Sequence, residues 1–191
     1  MPYPAKTNAQ AILAAAIEHL EQDGEEALSM RELASRLGIS PHALYRYYPD
    51  RATLKAALAE EVTHRLRSAL VDSASAHVGK DALRAVATAY LAFARSHPAW
   101  YPLVLKVHEQ TPGLLHAEHQ LWNFVVGLVE NVVGQEIAAS AAVALWAFLH
   151  GFIQLENADI LGEQKPRSGF QVGLEVFLSG LTTSRSSDTS L

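Results

Sequence analysis

Apolar residues recur every three or four positions along almost the whole chain, which is the spacing of one face of an α-helix. The clearest apolar stripes are Ile12, Leu13, Ala16, Ile17 and Leu20 near the start, and Leu54, Leu58, Val62, Leu66 and Leu70 after residue 50. No stretch shows the strict alternation that is typical of a half-buried strand. The pattern therefore predicts an all-α fold of about nine helices.

Glycine and proline divide this pattern into segments. The first helix is expected to end at Asp23-Gly24, and Pro49-Asp50 precedes a long fourth helix for which Asp50 is the expected cap. Later breaks stand at His97-Pro98, Thr111-Pro112-Gly113, Gly134 and 162–167. We expect a head at 1–49, a helical body at 50–181 and, because its end is rich in Ser and Thr, a disordered tail at 182–191.

Two short helical segments flank Gly38 and predict a helix-turn-helix. Leu33 and Leu37 belong to the apolar face of the first segment, and Gly38 stands where a helix end requires a left-handed residue. Ser40 is the expected N-cap of the next helix, and Pro41 occupies its first position, where proline is tolerated. A second helix held in this way can enter a major groove of DNA.

The outward residues of that second helix supply the candidate chemistry for reading DNA. They are His42, Ala43, Arg46 and Tyr47, while Ile39 and Leu44 are expected to pack on the preceding helix. Arg46 can pair with a guanine through two hydrogen bonds or lie toward a phosphate, and Ala43 can contact a thymine methyl group.

The motif resembles the tetracycline-repressor (TetR) family of transcription regulators. The matching residues are Gly38-Ile39-Ser40, Leu44-Tyr45-Arg46-Tyr47-Tyr48, Arg51 and Leu54. Tyr47, Tyr48 and Arg51 stand where the family usually has His, Phe and Lys. The resemblance implies a three-helix DNA-binding head on a helical body that binds a small-molecule effector and dimerises. It also implies that the chain acts as a repressor on a palindromic double-stranded operator.

On this interpretation twelve residues form the DNA-binding site. They are Ser29, Met30, Arg31, Ser40, Pro41, His42, Ala43, Tyr45, Arg46, Tyr47, Arg51 and Lys55. Arg31, Tyr47, Arg51 and Lys55 are expected to fix the register on the phosphates without reading sequence. Arg31 and Lys55 have a simpler alternative as parts of a solvated face. Ser29 and Ser40 are first of all helix caps, and Tyr45 is expected to anchor the helix or to reach the DNA backbone.

The body carries a second resemblance, to the Trp-His-Gly subgroup of the same family, in Trp146-Ala-Phe-Leu-His150-Gly151. Candidate walls of an effector pocket are Tyr90, Phe93, Trp100, Tyr101, Trp122, Val126, Trp146 and His150. Each of these residues could instead fill the core, and His150 could be a structural histidine. Candidate dimer contacts are Phe148, Phe152, Phe170, Leu174, Phe177, Leu178 and Leu181.

Charge and composition limit the classes of function that this chain can have. The chain carries a net charge of −5, yet seven cations and four anions give residues 28–67 a charge of +3. An acidic cluster, 18–26, precedes this basic window and is expected to face away from the DNA. With no cysteine among the 191 residues, thiolate chemistry and disulfides are excluded.

The remaining motifs do not indicate an enzyme. The sequence contains no phosphate-binding loop or nucleophile elbow, and His116 with His119 is too small a set for a metal site, although His108-Glu109 lies just upstream. We therefore expect no enzyme activity, cofactor or metal. Since no apolar run reaches the ~18 residues of a membrane span, we also expect a cytoplasmic protein without a membrane partner. The alternative is a helical ligand-binding protein or bundle enzyme that does not bind an operator.

Overall fold

The computed structural model describes residues 8–105, 110–159 and 168–186, with side chains described up to residue 181. These residues form nine helices and no strand, which confirms the predicted all-α fold. The helices are α1 Ala9–Ala27, α2 Met30–Arg36, α3 Pro41–Tyr45, α4 Arg51–Ala74, α5 Gly79–Ser96, α6 Tyr101–Leu105, α7 Pro112–Val133, α8 Gln135–Asn157 and α9 Gly169–Ser186.

Helix α1 buries the stripe that its sequence predicts. Ile12, Ala16, Ile17 and Leu20 are buried, and Leu13 is half-buried. Gly24 has a φ of 78° and interrupts the regular helix where the sequence predicts its end, so that 25–27 form a separate turn. Only glycine adopts this left-handed conformation without steric cost.

The turn between α2 and α3 follows the geometry expected of a helix that ends at glycine. Gly38 has a φ of 64°, and its N–H donates to Ser35 O at 3.1 Å. The N–H of Ile39 donates to Ala34 O at 3.0 Å, so two of the last carbonyls of α2 are satisfied. Ser40 then caps α3 by accepting a hydrogen bond from the Ala43 N–H at 3.2 Å, as predicted.

Helix α4 begins and packs as expected. Asp50 Oδ1 accepts a hydrogen bond from the Thr53 N–H at 2.8 Å and caps the helix. Hydrogen bonds from Thr53 lower the pKa of the Asp50 carboxyl. The predicted apolar stripe is buried throughout and comprises Leu54, Leu58, Val62, Leu66 and Leu70.

The chain divides into two compact units. The first comprises the described residues within Met1–Arg65 and Ser96–His119, and the second those within Leu66–Arg95 and Gln120–Leu191. One boundary between the units falls within α4, whereas the boundary between head and body at residue 49 stays a prediction. Pro49 breaks the helical pattern locally, but compactness depends on contacts between distant segments, such as Arg65 with Trp100.

In the second unit, aromatic packing and ion pairs join α5, α8 and α9. The ring of Phe170 lies 5.8 Å from that of Phe148 and 5.3 Å from that of Phe152. A Cβ atom on Gly173 would lie 2.6 Å from the Phe148 ring, so this close approach requires glycine. Helix α9 continues to Ser186, five residues into the tail that its Ser/Thr-rich composition predicted as disordered from 182. Each residue that is added to an existing helix forms one more backbone hydrogen bond. For this reason α9 can continue beyond the end of its apolar stripe.

Two arginines of α5 make ion pairs with the last two helices. Arg84 pairs with Glu175 of α9 at 2.6 Å, and Arg95 pairs with Glu156 of α8 through two hydrogen bonds of 2.9 and 2.5 Å. Hydrogen bonding to Glu175 raises the pKa of Arg84, and bonding to Arg84 lowers that of Glu175.

The helix-turn-helix turn predicts a glycine-specific stability effect. Gly38→Ala would place a side chain at positive φ although no atom lies within 4 Å of the new Cβ, so its cost is conformational. We expect a loss of about 1–2 kcal/mol. Gly127→Ala, in helix α7 with equally open space, should instead gain up to about 1 kcal/mol. Urea unfolding followed by circular dichroism measures both; an unchanged midpoint for Gly38→Ala contradicts the assignment.

Candidate nucleic-acid interface

Helix α3 presents the residues that the sequence assigned to DNA. Leu44 is fully buried and holds the helix on the head, whereas Pro41, His42, Tyr45, Arg46 and Tyr47 are exposed. Ala43 is half-buried, so it offers less surface than expected. Tyr45 and Tyr47 expose 45% and 44% of their surface. Two large aromatic rings therefore lie in water on either side of Arg46 in the sequence. Such exposure is typical of a binding surface.

Tyr48 and Met30 both anchor the motif from inside. Tyr48, the predicted buried ring, is 8% exposed, and its hydroxyl donates to Ala9 O at 3.3 Å. Burial, and then the nearby Glu60 carboxylate, raise the pKa of Tyr48. Met30 was assigned to the DNA surface, but its side chain is 7% exposed because it fills the core at the start of α2. That assignment is wrong for the side chain.

The expected caps use their oxygens inside the protein. Ser29 Oγ accepts a hydrogen bond from the Glu32 N–H at 3.1 Å, and Ser40 Oγ accepts one from the Ala43 N–H. Both hydroxyl groups therefore keep a proton that can be donated outward. The capping role is confirmed, and the DNA contact stays a prediction.

The cations of the head fall into two classes. Within the described part of the chain, the guanidinium groups of Arg31 and Arg46 make no hydrogen bond or ion pair, and both residues are exposed. By contrast, Arg51 Nη2 donates to Glu25 O at 3.0 Å, and Lys55 Nζ lies 2.7 Å from Glu25 Oε1. The first class is free to meet an anion, whereas the second already has protein partners.

A network that sequence analysis missed joins α1 to α2. The ring of His19 is 2% exposed and places Nδ1 2.7 Å from Asp23 Oδ2 and Nε2 3.1 Å from Ala27 O. Arg36 Nη2 donates to the same Asp23 oxygen at 2.6 Å. The hydrogen bond from His19 and the charge of Arg36 lower the pKa of Asp23. The available signal was the position of His19, which lies beside Ala16 and Leu20 on the buried stripe.

Two carboxylates of the acidic cluster pair with basic residues of the head. Asp23 pairs with Arg36, and Glu25 pairs with Lys55. The sequence counted these charges separately, whereas the structure pairs them between helices, with the bend at Gly24 between Asp23 and Glu25. The positive charge that the head offers to DNA is therefore smaller than the sequence count indicates.

The candidate pocket residues are distributed over both units. Trp100 and Tyr101 belong to the first unit, where both are buried. The ring of His97 stacks on Trp100 at 3.9 Å, and the Arg65 guanidinium lies 5.2 Å from the same ring. Trp100 thus packs against side chains of its own unit, which favours the core-filling alternative for this residue.

The other candidate pocket residues lie in the second unit. Tyr90 and Phe93 are buried, and Trp122, Val126 and His150 are half-buried. Trp146 is 46% exposed, and its Nε1 donates to Tyr90 Oη at 3.2 Å. The candidate residues of α8 and their neighbours therefore do not all face inward. Leu149 and Ile153 are buried, whereas Trp146 faces largely outward. Trp146 directly follows Leu145 of the buried stripe and is thus rotated away from it around the helix axis.

The assigned dimer contacts need a similar correction. Phe170, Leu174, Leu178 and Leu181 are buried inside the second unit, and Phe148, Phe152 and Phe177 are half-buried. The large apolar side chains that α8 and α9 expose are different ones, at 37–69% of their surface, namely Ile137, Val143, Trp146, Leu155, Val172 and Val176. Composition showed that these helices carry more apolar residues than one core needs, but the helical phase decided which of them stay outside.

Two further expectations concern metals and membranes. His116 and His119 are exposed on α7, and the described residues contain no group of three potential ligands that could hold a metal ion; His108 and Glu109 lie outside them.

Helix α8 is long and apolar enough to cross a membrane by length and composition alone, contrary to the expectation that no run reaches this length. It reaches this length because alanines continue the apolar run between the larger side chains.

Comparison with known proteins agrees with this geometry. Residues 12–61 match the family model "Bacterial regulatory proteins, tetR family", and residues 83–177 match the "Tetracyclin repressor-like, C-terminal domain". The chain belongs to the TetR family of transcription regulators. The second match covers Trp146 to Gly151, but the Trp-His-Gly subgroup stays a prediction.

Individual relatives cover nearly the whole chain. The HTH-type transcriptional regulator YobS of Bacillus subtilis (strain 168) is 28% identical over 174 residues, which cover 89% of this chain and 90% of the relative. A protein of unknown function from Rhodococcus sp. RHA1 has a similar structure, with a TM-score of 0.82, 27% identity and coverage of 95% and 99%. BioQ with its natural double-stranded DNA operator shares the fold at a TM-score of 0.65, with 22% identity and coverage of 93% and 99%.

Proposed function

We propose that this chain is an effector-responsive repressor that binds a palindromic operator as a homodimer. The observation that carries the proposal is the pair of unpartnered guanidinium groups, Arg31 and Arg46, among the described residues at the exposed surface of the helix-turn-helix. The likeness of the fold to BioQ, whose structure contains an operator, supports it. A cytoplasmic location follows, since the operator lies on the chromosome.

The contacts that we propose for the head divide by the exposure of each side chain. Arg46 and His42 are the base-edge readers because both are exposed, His42 on α3 and Arg46 at its C-cap. Arg46 also has no internal partner among the described residues. Arg31, Tyr47 and Ser40 contact phosphates on either side. Arg51 joins them, since its bond to Glu25 O uses one of its five N–H groups.

We propose that the exposed apolar surface of α8 and α9 holds the two copies together. The two helices contact each other, and Val143, Trp146, Val172 and Val176 are all largely exposed. Large exposed apolar surfaces of this kind mark interaction sites. A second copy related by a two-fold axis would cover them, and the same axis would place the two recognition helices on an inverted repeat.

The effector that we propose is small and largely apolar, and it binds in the second unit. Six apolar residues of α7 in this unit are only half-buried, although Val129 and Val132 further along the helix are buried. The six are Leu121, Trp122, Phe124, Val125, Val126 and Leu128. The nearby polar candidates are the Tyr90 hydroxyl and His150, with no arginine or lysine among the assigned residues. Ligand pockets combine such apolar walls with a few polar groups.

Operator binding is tested with DNA from upstream of the gene for this protein. Arg46→Ala should weaken binding and, where Arg46 reads guanine, relax the preference at one base pair by about 1–3 kcal/mol. Arg51→Ala should weaken all sequences alike and reduce the salt dependence. Electrophoretic shifts at several salt concentrations separate the two effects. Normal binding by both variants would contradict the head assignment, and no binding by the wild type would favour a ligand-binding protein or a bundle enzyme.

Dimerisation is tested with two exposed valines that differ only in location. Val176, on α9, is 69% exposed, and Val78, between α4 and α5, is 86% exposed. Val176→Glu should place two carboxylates at the two-fold interface and shift the protein to monomers, whereas Val78→Glu should leave the mass unchanged. Light scattering at micromolar concentration gives the result. A wild-type monomer would exclude the proposed dimer, and co-sedimentation with lipid vesicles would assign the apolar surface to a membrane instead.

Effector release is tested by filling the proposed space. An organic extract of the host cells should dissociate the wild-type operator complex. Val126→Trp should still bind the operator but respond to the extract at least several-fold less, because its larger side chain occupies apolar volume beside Trp122. Val78→Trp, between α4 and α5 and 86% exposed, is the control of equal size. An operator affinity that no extract alters would leave a constitutive DNA-binding protein.

A further inference from the structure

Glu25 holds two cations at the start of α4. Its carboxylate lies 2.7 Å from Lys55 Nζ, and its backbone carbonyl accepts a hydrogen bond from Arg51 at 3.0 Å. The ion pair is sheltered, since the Lys55 and Glu25 side chains are only 24% and 12% exposed. Surface pairs contribute little because water competes for them, but this pair is partly withdrawn from water and is therefore stronger.

The bend at Gly24 explains how Glu25 reaches α4. With a φ of 78°, Gly24 directs the chain out of the regular helix, and the Leu28 N–H donates back to Glu25 O at 3.2 Å. This short turn fixes the backbone of Glu25, so that its carboxylate and carbonyl both face α4. Its neighbour Glu26 is exposed and carries the same charge one residue further along.

A lysine with a carboxylate partner cannot add to DNA affinity in the usual way. Neutralising a phosphate strengthens binding because counterions leave the DNA, and the gain depends on each cation that becomes available. Lys55 has three N–H donors, but a phosphate beside the ion pair would also meet the Glu25 carboxylate, which repels it. Full contact with a phosphate therefore requires Lys55 to leave Glu25, which would then keep a partly buried charge without its partner. Sequence analysis assigned Lys55 to the phosphates without this competitor.

We propose that Glu25 competes with the DNA backbone for Lys55 and thereby keeps the affinity for non-operator DNA low. This inference rests on the proposed operator binding. Glu25 acts as a positioning residue: it touches no DNA, but it keeps one cation out of the phosphate-binding set. Operator and random DNA lose the same phosphate contact, so the groups that read bases, above all Arg46, supply a larger share of the remaining affinity for the operator.

The test compares Glu25→Gln with Glu26→Gln on a random-sequence duplex. Both variants remove one negative charge, but only Glu25→Gln releases Lys55. We expect Glu25→Gln to steepen the slope of log affinity against log salt by about 0.9, so its advantage over wild type falls about 3-fold between 50 and 200 mM salt. Glu26→Gln should keep the wild-type slope. Equal slopes for Glu25→Gln and wild type, or equal changes in both variants, would overturn the proposal.

Lys55→Gln tests whether Lys55 is the cation that Glu25→Gln releases. It also gives a result if Glu25→Gln does not fold. In the Glu25→Gln background it should restore the wild-type slope, and in the wild-type background it should leave the slope unchanged. A shallower slope for Lys55→Gln alone means that Lys55 already contacts a phosphate, which overturns the proposal even where Glu25→Gln does not fold. Circular dichroism verifies the fold of each variant. If the wild type binds neither operator nor random DNA, the proposed function itself fails.

Discussion

Five apolar side chains of α4, Leu54, Leu58, Val62, Leu66 and Leu70, are buried along almost its whole length, and both compact units depend on them. Removing one buried leucine typically costs about 2–5 kcal/mol, a large part of the stability of a domain. The helix therefore contributes its first turns to one unit and its last turns to the other.

The head pairs several of its cations with its own carboxylates. The protein is acidic overall, and two carboxylates near the end of α1, Asp23 and Glu25, engage Arg36 and Lys55. Two guanidinium groups at the reading surface, Arg31 and Arg46, are the ones without such partners in the described residues. An arrangement of this kind favours specific contacts over a general attraction to phosphate, because non-specific affinity grows with each available cation.

The surfaces of the second unit follow from helical phase. Helices α8 and α9 each bury one stripe, such as Leu145, Leu149 and Ile153 on α8, and expose further apolar residues on another. The same excess makes α8 resemble a membrane span in composition. We interpret it as the surface for a second copy, since the buried stripe already commits α8 to packing inside a folded unit.

Sequence alone determined the local structure of this protein. Gly38, Ser40, Pro41 and Asp50 act through their own backbone and nearest neighbours, so the helix-turn-helix and the caps were predictable from residue type and spacing. Only the tertiary structure decided which side chains meet across the chain. Glu25 reaches Lys55, and Trp146 turns outward while Phe170 turns inward, because such contacts depend on the angle and rotation at which helices pack, and apolar spacing leaves these undetermined.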